Sequence, residues 1–288
     1  MPRLDRVATV YFGYPLVRVF GRRPSSCTPV LMYHSISDNL FGKSHPYYQI
    51  NTQPEIFALQ MKWLRNNGYR SLDIPELLIS LQRGDDLSKT IVITFDDGYR
   101  DFYTEAAEVM KQCGFTATIY LVSSRIKDES LRFEGVDYLT WSEVRELQRQ
   151  GIRFGSHTVT HPDLRSLGPE QIEYELGYSK EFIEDKLGAP VDSFAYPFAF
   201  PEEDTDFARF VTDALRNHGY ENGVSTIIGR SHSQSNPFLL PRLPVNNWDD
   251  HEFLAAKLAG GYDWLHVPQR IKKVINHHVT SMQRSSQL

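Results

Sequence analysis

A chain of 288 residues has room for one large domain or two small ones. With 41% hydrophobic and 23% charged residues, 18 glycines and 16 prolines, the composition excludes a disordered chain and a collagen-like repeat. Two cysteines, Cys27 and Cys113, cannot build a disulfide framework or a cysteine-rich zinc module, and no run approaches the ~20 apolar residues of a bilayer-spanning helix.

The formal charge of −5 is unevenly placed. Residues 1–23 carry five arginines against Asp5 alone, and the stretch from Trp264 onward carries Arg270, Lys272, Lys273 and Arg284 with no acid. Each end is therefore +4, and the body between them −13. An acidic body argues against nucleic acid as a partner, because neutralising phosphates needs a basic face. Basic ends permit peripheral contact with anionic lipid headgroups.

In chain order, residues 1–28 read as a basic, apolar arm. Its apolar stretch ATVYFGYPLV is followed by Arg18 and by no convincing small-residue cleavage site, so it is a poor signal peptide. The expectation is an arm that packs on the main domain, with an interfacial helix as the alternative. The lack of a clear signal favours the cytoplasm or the periphery of the inner membrane over secretion. Strands are predicted at 30–33, 91–95, 117–122, 152–155, 193–196, 223–228 and 240–245, each a short apolar or β-branched run. Helices are predicted at 55–66 behind Pro54, from the Thr140/Glu143 capping box to about Gly151, at 170–187 between Pro169 and Gly188, and at 205–218 before Gly219. Residues 263–288 read as a basic C-terminal helix or tail behind a main domain at 29–262. Alternating strands and helices imply an α/β fold with parallel strands, and about seven strands fit a distorted (β/α) barrel.

Two strings sit where barrel enzymes keep their chemistry, at the C-terminal ends of strands. In TFDDGY at 94–99, a glycine turn lets Asp96 and Asp97 diverge, so that one can bind a cation while the other stays free to take a proton. In HTVTH, His157 and His161 have the i, i+4 spacing that one helical turn would bring to one side. Two imidazoles and a carboxylate are three ligands of an open catalytic metal site, with water in the remaining position. Thr158 stands where the zincin motif needs a glutamate, which excludes a thermolysin-like protease.

TFDDGY at 94–99, GSHTVTHPDL at 155–164 and FAYPFA at 194–199 resemble, in order, the first three motifs of the polysaccharide deacetylase family, the NodB homology domain or carbohydrate esterase family 4. The resemblance spans roughly residues 30–245. It implies a distorted (β/α) barrel that hydrolyses acetyl groups of an N-acetylated polysaccharide or glycan precursor with one divalent ion, zinc above others. By resemblance Asp97, His157 and His161 bind the metal and Asp96 is the general base. A backbone N–H within Tyr196, Pro197 and Phe198 is the expected oxyanion donor.

The chain departs from the family pattern twice. No Leu-x-His follows residue 200, whereas Met32-Tyr33-His34 resembles the signature of the branch with permuted motifs, which makes His34 the expected general acid and His266 a distant substitute. The third motif has Ala195 where relatives commonly carry Arg, and Arg242 at another strand end is the candidate replacement. Tyr47, Tyr48, Trp141 and Trp248 are candidate sugar-stacking residues. The competing readings are a carbohydrate-binding protein with a structural metal and a non-haem iron oxygenase with a two-histidine, one-carboxylate triad. Such oxygenases usually place the carboxylate next to the first histidine on a β-sandwich, whereas here it precedes both in a βα pattern.

Overall fold

The computed structural model describes residues 3–20, 27–38, 49–271 and 273. Eight parallel strands form its main sheet: β1 (Val30–Tyr33), β2 (Arg70–Leu72), β3 (Thr90–Phe95), β4 (Thr118–Leu121), β5 (Arg153–Ser156), β6 (Ser193–Ala195), β7 (Asn222–Ile228) and β8 (Leu240–Pro244). Seven of them close a barrel in the order β1, β8, β7, β6, β5, β4, β3 and back to β1. The strand missed by the sequence reading, β2, lies outside that ring. It pairs with the first half of β3 through Arg70–Thr90 to Leu72–Val92, while β4 pairs with its end through Thr94–Thr118 and Phe95–Ile119. Two partners thus share one edge of β3, which is the distortion of the barrel.

All six residues of β3 are buried, as expected of a parallel strand covered on both faces. Val30, Val92, Tyr120, Ala195, Val224 and Leu240, one from each of six strands, form one apolar cluster with Ile74, Leu77 and Leu81 of the helix Ile74–Arg83. A larger cluster fills the space between barrel and helices.

The helix signals act as the residues dictate. Glu143 N–H donates to Thr140 Oγ1 (3.3 Å) and Thr140 N–H to Glu143 Oε2 (2.9 Å), a reciprocal cap on the helix Trp141–Arg149. The helix Pro169–Leu187 stops where Gly188 turns left-handed at φ 64°. The helices Ile74–Arg83, Ala107–Cys113 and His251–Leu258 were not foreseen.

The N-terminal arm is helical, Leu4–Ala8 and Tyr14–Phe20 joined by a wide turn Thr9–Gly13, and it packs on the body. Arg6 Nη2 donates to Asp250 Oδ2 (2.7 Å), Tyr262 OH to Asp5 Oδ2 (3.1 Å) and Trp264 Nε1 to Thr9 Oγ1 (3.1 Å). Among the described residues no helix is long and apolar enough to cross a membrane.

Candidate active site

The site is built at the C-terminal ends of β1, β3, β5, β6 and β8. Asp96 N–H donates to Tyr33 O (3.0 Å), so the β1–β3 pairing runs one residue past the strand. Asp97 and Gly98 then both turn left-handed, at φ 74° and 75°. At Gly98 a Cβ would lie 2.9 Å from Leu121 Cδ2 and 3.1 Å from Ile126 Cδ1, so both the space and the φ require glycine. The reversal sends the two carboxylates apart, Asp96 towards β8 and Asp97 towards the loop after β5.

That loop carries both histidines, but not on a helical turn. Thr158 and His161 are left-handed, at φ 70° and 63°, and residues 157–161 form an irregular loop. The two left-handed residues exclude a helical turn, and side-chain oxygens hold the loop in the path it takes. Glu175, on the buried face of the helix Pro169–Leu187, accepts from the backbone N–H of Val159 (2.7 Å) and Thr160 (3.0 Å), and from Thr160 Oγ1 (2.7 Å). Thr158 Oγ1 accepts from His161 N–H (2.9 Å). Four of the six non-glycine residues with positive φ among the described residues, Asp97, Thr158, His161 and Phe198, belong to this site. Each such conformation costs of order 1–3 kcal/mol and persists only where its surroundings over-determine it.

The result brings Asp97, His157 and His161 together, with one ligand atom from each lying within 4.8 Å of the others. Asp97 Oδ1 is 3.8 Å from His157 Nε2 and 3.4 Å from His161 Nε2. His157 Nδ1 is 2.8 Å from Ala195 O. Its proton therefore belongs on Nδ1, and the Nε2 lone pair faces Asp97. Burial, followed by the neighbouring His157, pushes His161 down to about 4, which leaves a neutral ring with a lone pair to give. Two imidazoles and one carboxylate converging in this way fit a divalent ion of the zinc type.

Asp96 is held differently. Arg242, fully buried on β8, meets it with both arms of its guanidinium: Nη1 to Oδ1 and Nη2 to Oδ2, each 2.7 Å. Arg242 is itself fixed by Nε donating to Ser225 O (2.9 Å) and Nη1 donating to Thr94 Oγ1 (3.2 Å). Burial would raise the Asp96 carboxyl, but Arg242, His157 and His34 outweigh it and hold it well below the usual carboxylate range. His34, one residue past β1, has Nε2 3.9 Å from Asp96 Oδ2. Burial lowers its pKa against the pull of Asp96 and Asp97.

Other expected residues part company with this cluster. Tyr196 turns its ring among Phe194 and Phe200, and its N–H is committed to Val224 O (3.1 Å). Pro197 has no N–H to offer. Phe198 is exposed, left-handed at φ 56°, with its ring 4.7 Å from that of His161. His266 Nε2 is bound to Glu202 Oε2 at 2.7 Å. Trp141 is buried in its helix, Trp248 is half-exposed and donates to Gln49 Oε1 (2.6 Å), and Tyr47 and Tyr48 lie outside the described residues. Glu175 carries no local signal of its place under the histidine loop, since in sequence it is one acid among several in a helix.

The family model for polysaccharide deacetylases matches residues 83–223, which contain Asp96, Asp97, His157, His161 and Phe198 but not His34 or Arg242. Over 219 residues the chain is 32% identical to "Putative polysaccharide deacetylase YxkH" of Bacillus subtilis (strain 168), covering 76% of this chain and 71% of that protein. The chain belongs to the polysaccharide deacetylase family. As such it is a hydrolase of carbon–nitrogen bonds in linear amides, and the iron-oxygenase reading falls away.

This polysaccharide deacetylase is also 21% identical over 235 residues to a poly-beta-1,6-N-acetyl-D-glucosamine N-deacetylase of Staphylococcus aureus, covering 77% of each chain. Its fold matches the polysaccharide deacetylase BC0361 of Bacillus cereus with a TM-score of 0.65, at 27% identity over 81% of this chain and 69% of the other. It matches the Streptococcus pyogenes deacetylase PplD, solved with acetate, with a TM-score of 0.68 at 24% identity over 81% and 98%.

Proposed function

We propose that this deacetylase removes the N-acetyl group from an N-acetylglucosamine polymer or its precursor, with Asp97, His157 and His161 holding one divalent ion, zinc by its donor set. The observation that carries this reading is the divergence of two adjacent carboxylates, Asp97 onto the histidines and Asp96 onto Arg242. When bound, the ion supplies Lewis acidity for the amide carbonyl and the attacking water. Asp96, ionised throughout the neutral range and aimed by Arg242, accepts the proton of that water as it adds to the carbonyl carbon. His34 is neutral at rest and its Nε2 is 3.9 Å from Asp96 Oδ2, within reach of the proton so taken. Once protonated, His34 gives that proton to the leaving nitrogen as the C–N bond breaks, and acetate and a free amine result. Of the third-motif residues, Phe198 supports the role of oxyanion donor, because Tyr196 N–H is bound within the sheet and Pro197 has none.

The test is acetate release from a panel of acetylated oligosaccharides by native, chelator-treated and zinc-restored protein. Release that stops with chelator and returns with zinc is expected. Undiminished release by metal-free protein overturns the metal's role, and tight glycan binding by metal-loaded protein without acetate release supports a binding protein instead.

A further inference from the structure

We propose, on the reading of Asp97, His157 and His161 as a metal site, that Glu175 is a positioning residue that holds His161 in place for the ion. The helix Pro169–Leu187 buries one stripe, in which Glu175 and Ser179 interrupt the apolar Ile172, Leu176 and Ile183. A buried polar group costs free energy unless its hydrogen bonds are made, and a buried carboxylate costs more. Both residues make their bonds towards the segment that carries the two histidines.

Among the described residues no lysine, arginine or histidine pairs with the Glu175 carboxylate. Its partners are Val159 N–H (2.7 Å), Thr160 N–H (3.0 Å) and Thr160 Oγ1 (2.7 Å), all between the histidines. Ser179 Oγ donates to Glu175 O (2.6 Å) and accepts from Ser156 Oγ (2.7 Å), which in turn accepts from Thr158 N–H (3.3 Å). His157 N–H donates to Leu121 O (2.9 Å) and His161 N–H to Thr158 Oγ1 (2.9 Å), so every backbone N–H from 157 to 161 is bound.

The two histidines are not held alike. His157 directly follows β5, keeps its N–H on the neighbouring strand and has Nδ1 2.8 Å from Ala195 O. Among the described residues no backbone carbonyl holds the ring of His161, and its place depends on the path of the loop. That path passes through two left-handed residues, Thr158 and His161, and such conformations persist only where the surroundings over-determine them. Glu175 pins the two residues between them. Without its carboxylate the loop relaxes and carries His161 Nε2 away from Asp97 Oδ1, from which it now stands 3.4 Å.

The test is a double-mutant cycle in zinc affinity on the full chain, read by competition with a chromophoric chelator. Glu175→Ala should bind zinc at least ~10-fold more weakly than the native protein, the usual effect of losing a group that orients a metal ligand. In a His161→Ala background, where Asp97 and His157 remain, the same change should cost less than ~2-fold, because the ligand it positions is already gone. Glu175→Gln keeps an acceptor oxygen for both N–H groups and should recover most of the lost affinity. Native affinity in Glu175→Ala overturns the proposal. So does an equal loss in the His161→Ala background, which would mark a general effect on the fold, and so does a glutamine variant as weak as the alanine one, which would assign the effect to charge. If Glu175→Ala does not fold, Glu175→Asp, one methylene shorter, takes its place in the cycle. Native protein that takes up no zinc overturns the metal reading and this role with it, whereas native uptake left unchanged by the Glu175 variants overturns this role alone.

Discussion

Two buried ion-pair clusters, one under the N-terminal arm and one at the barrel mouth, show how differently the same chemistry can be used. Under the N-terminal arm, Lys257 Nζ lies 2.8 Å from Asp249 Oδ1 and donates to Pro244 O (2.7 Å), while Arg3 pairs with Asp5 at 2.5 Å and approaches Asp249 at 3.8 Å. The rings of Phe253 and Tyr262 cover the ammonium at 4.6 Å each. Every charge there is closed off by protein, and none of these residues is left-handed. At the barrel mouth, Asp96 is equally buried and equally paired, but its Oδ2 also faces His34 across 3.9 Å, and the residues around it hold four strained conformations. Burial of charge is therefore common to a clasp and a reactive site. What separates them is strain spent on aiming several donor atoms at one place.

Asp96→Asn separates the two clusters most sharply. Turnover should fall by ~10³-fold or more while the bound metal, measured by elemental analysis, stays stoichiometric. Loss of the metal as well would make Asp96 a ligand and remove the distinction between the paired carboxylates.

Lys257→Ala probes the clasp. It leaves Asp249 buried with Arg3, 3.8 Å away, as its remaining counter-charge, so urea unfolding should show a loss of about 3 kcal/mol, while turnover by the folded protein stays the same. A large fall in turnover at unchanged stability would mean that the clasp also serves the reaction.

His34→Ala should slow turnover by ~10²-fold with metal affinity unchanged, the usual worth of a positioned proton donor. An unimpaired variant would return that role to another group.

The smallest effect belongs to Asp101, on the turn below the site, whose Oδ2 accepts from Ser35 Oγ (2.5 Å). Burial pushes its carboxyl up to about 6 despite that bond and those from Ile36 and Phe102. A carboxyl raised in the folded state stabilises fully below its unfolded value near 4, and that stability is lost as pH rises through 6. Asn, which cannot ionise, should therefore raise stability by about 2 kcal/mol at pH 7.5 and by nothing near pH 4, read as a Tm difference that closes with acid. A constant difference across that range would mean that the gain is not electrostatic.

The parts read most directly from sequence are those carried by contiguous strings. The strand at 91–95 and the Asp-Asp-Gly turn after it need only local patterning, and so do the Thr140/Glu143 cap and the Pro169 and Gly188 ends of one helix. The spacing of His157 and His161 pointed to shared ligation, yet for a different geometric reason from the one that operates. Spacing assumes a regular turn, whereas Thr158 and His161 are left-handed and Glu175, fourteen residues past His161 and on another element, holds the N–H groups of Val159 and Thr160. In the third motif, sequence could not choose among Tyr196, Pro197 and Phe198. That depends on which N–H the neighbouring strand has already bound.

By itself the sequence determined the fold class, the donor types of the candidate metal site and the family, because each is written in short runs whose residue types have few alternative uses. Tertiary structure alone decided that Arg242 meets Asp96 across 146 residues and that His34 stands beside both. It also decided that Tyr11, Phe12 and Leu16 of the arm's apolar stretch face outward. Hydrophobic periodicity says which residues share a face of an element, but only the closure of the barrel and the packing upon it decide what that face meets.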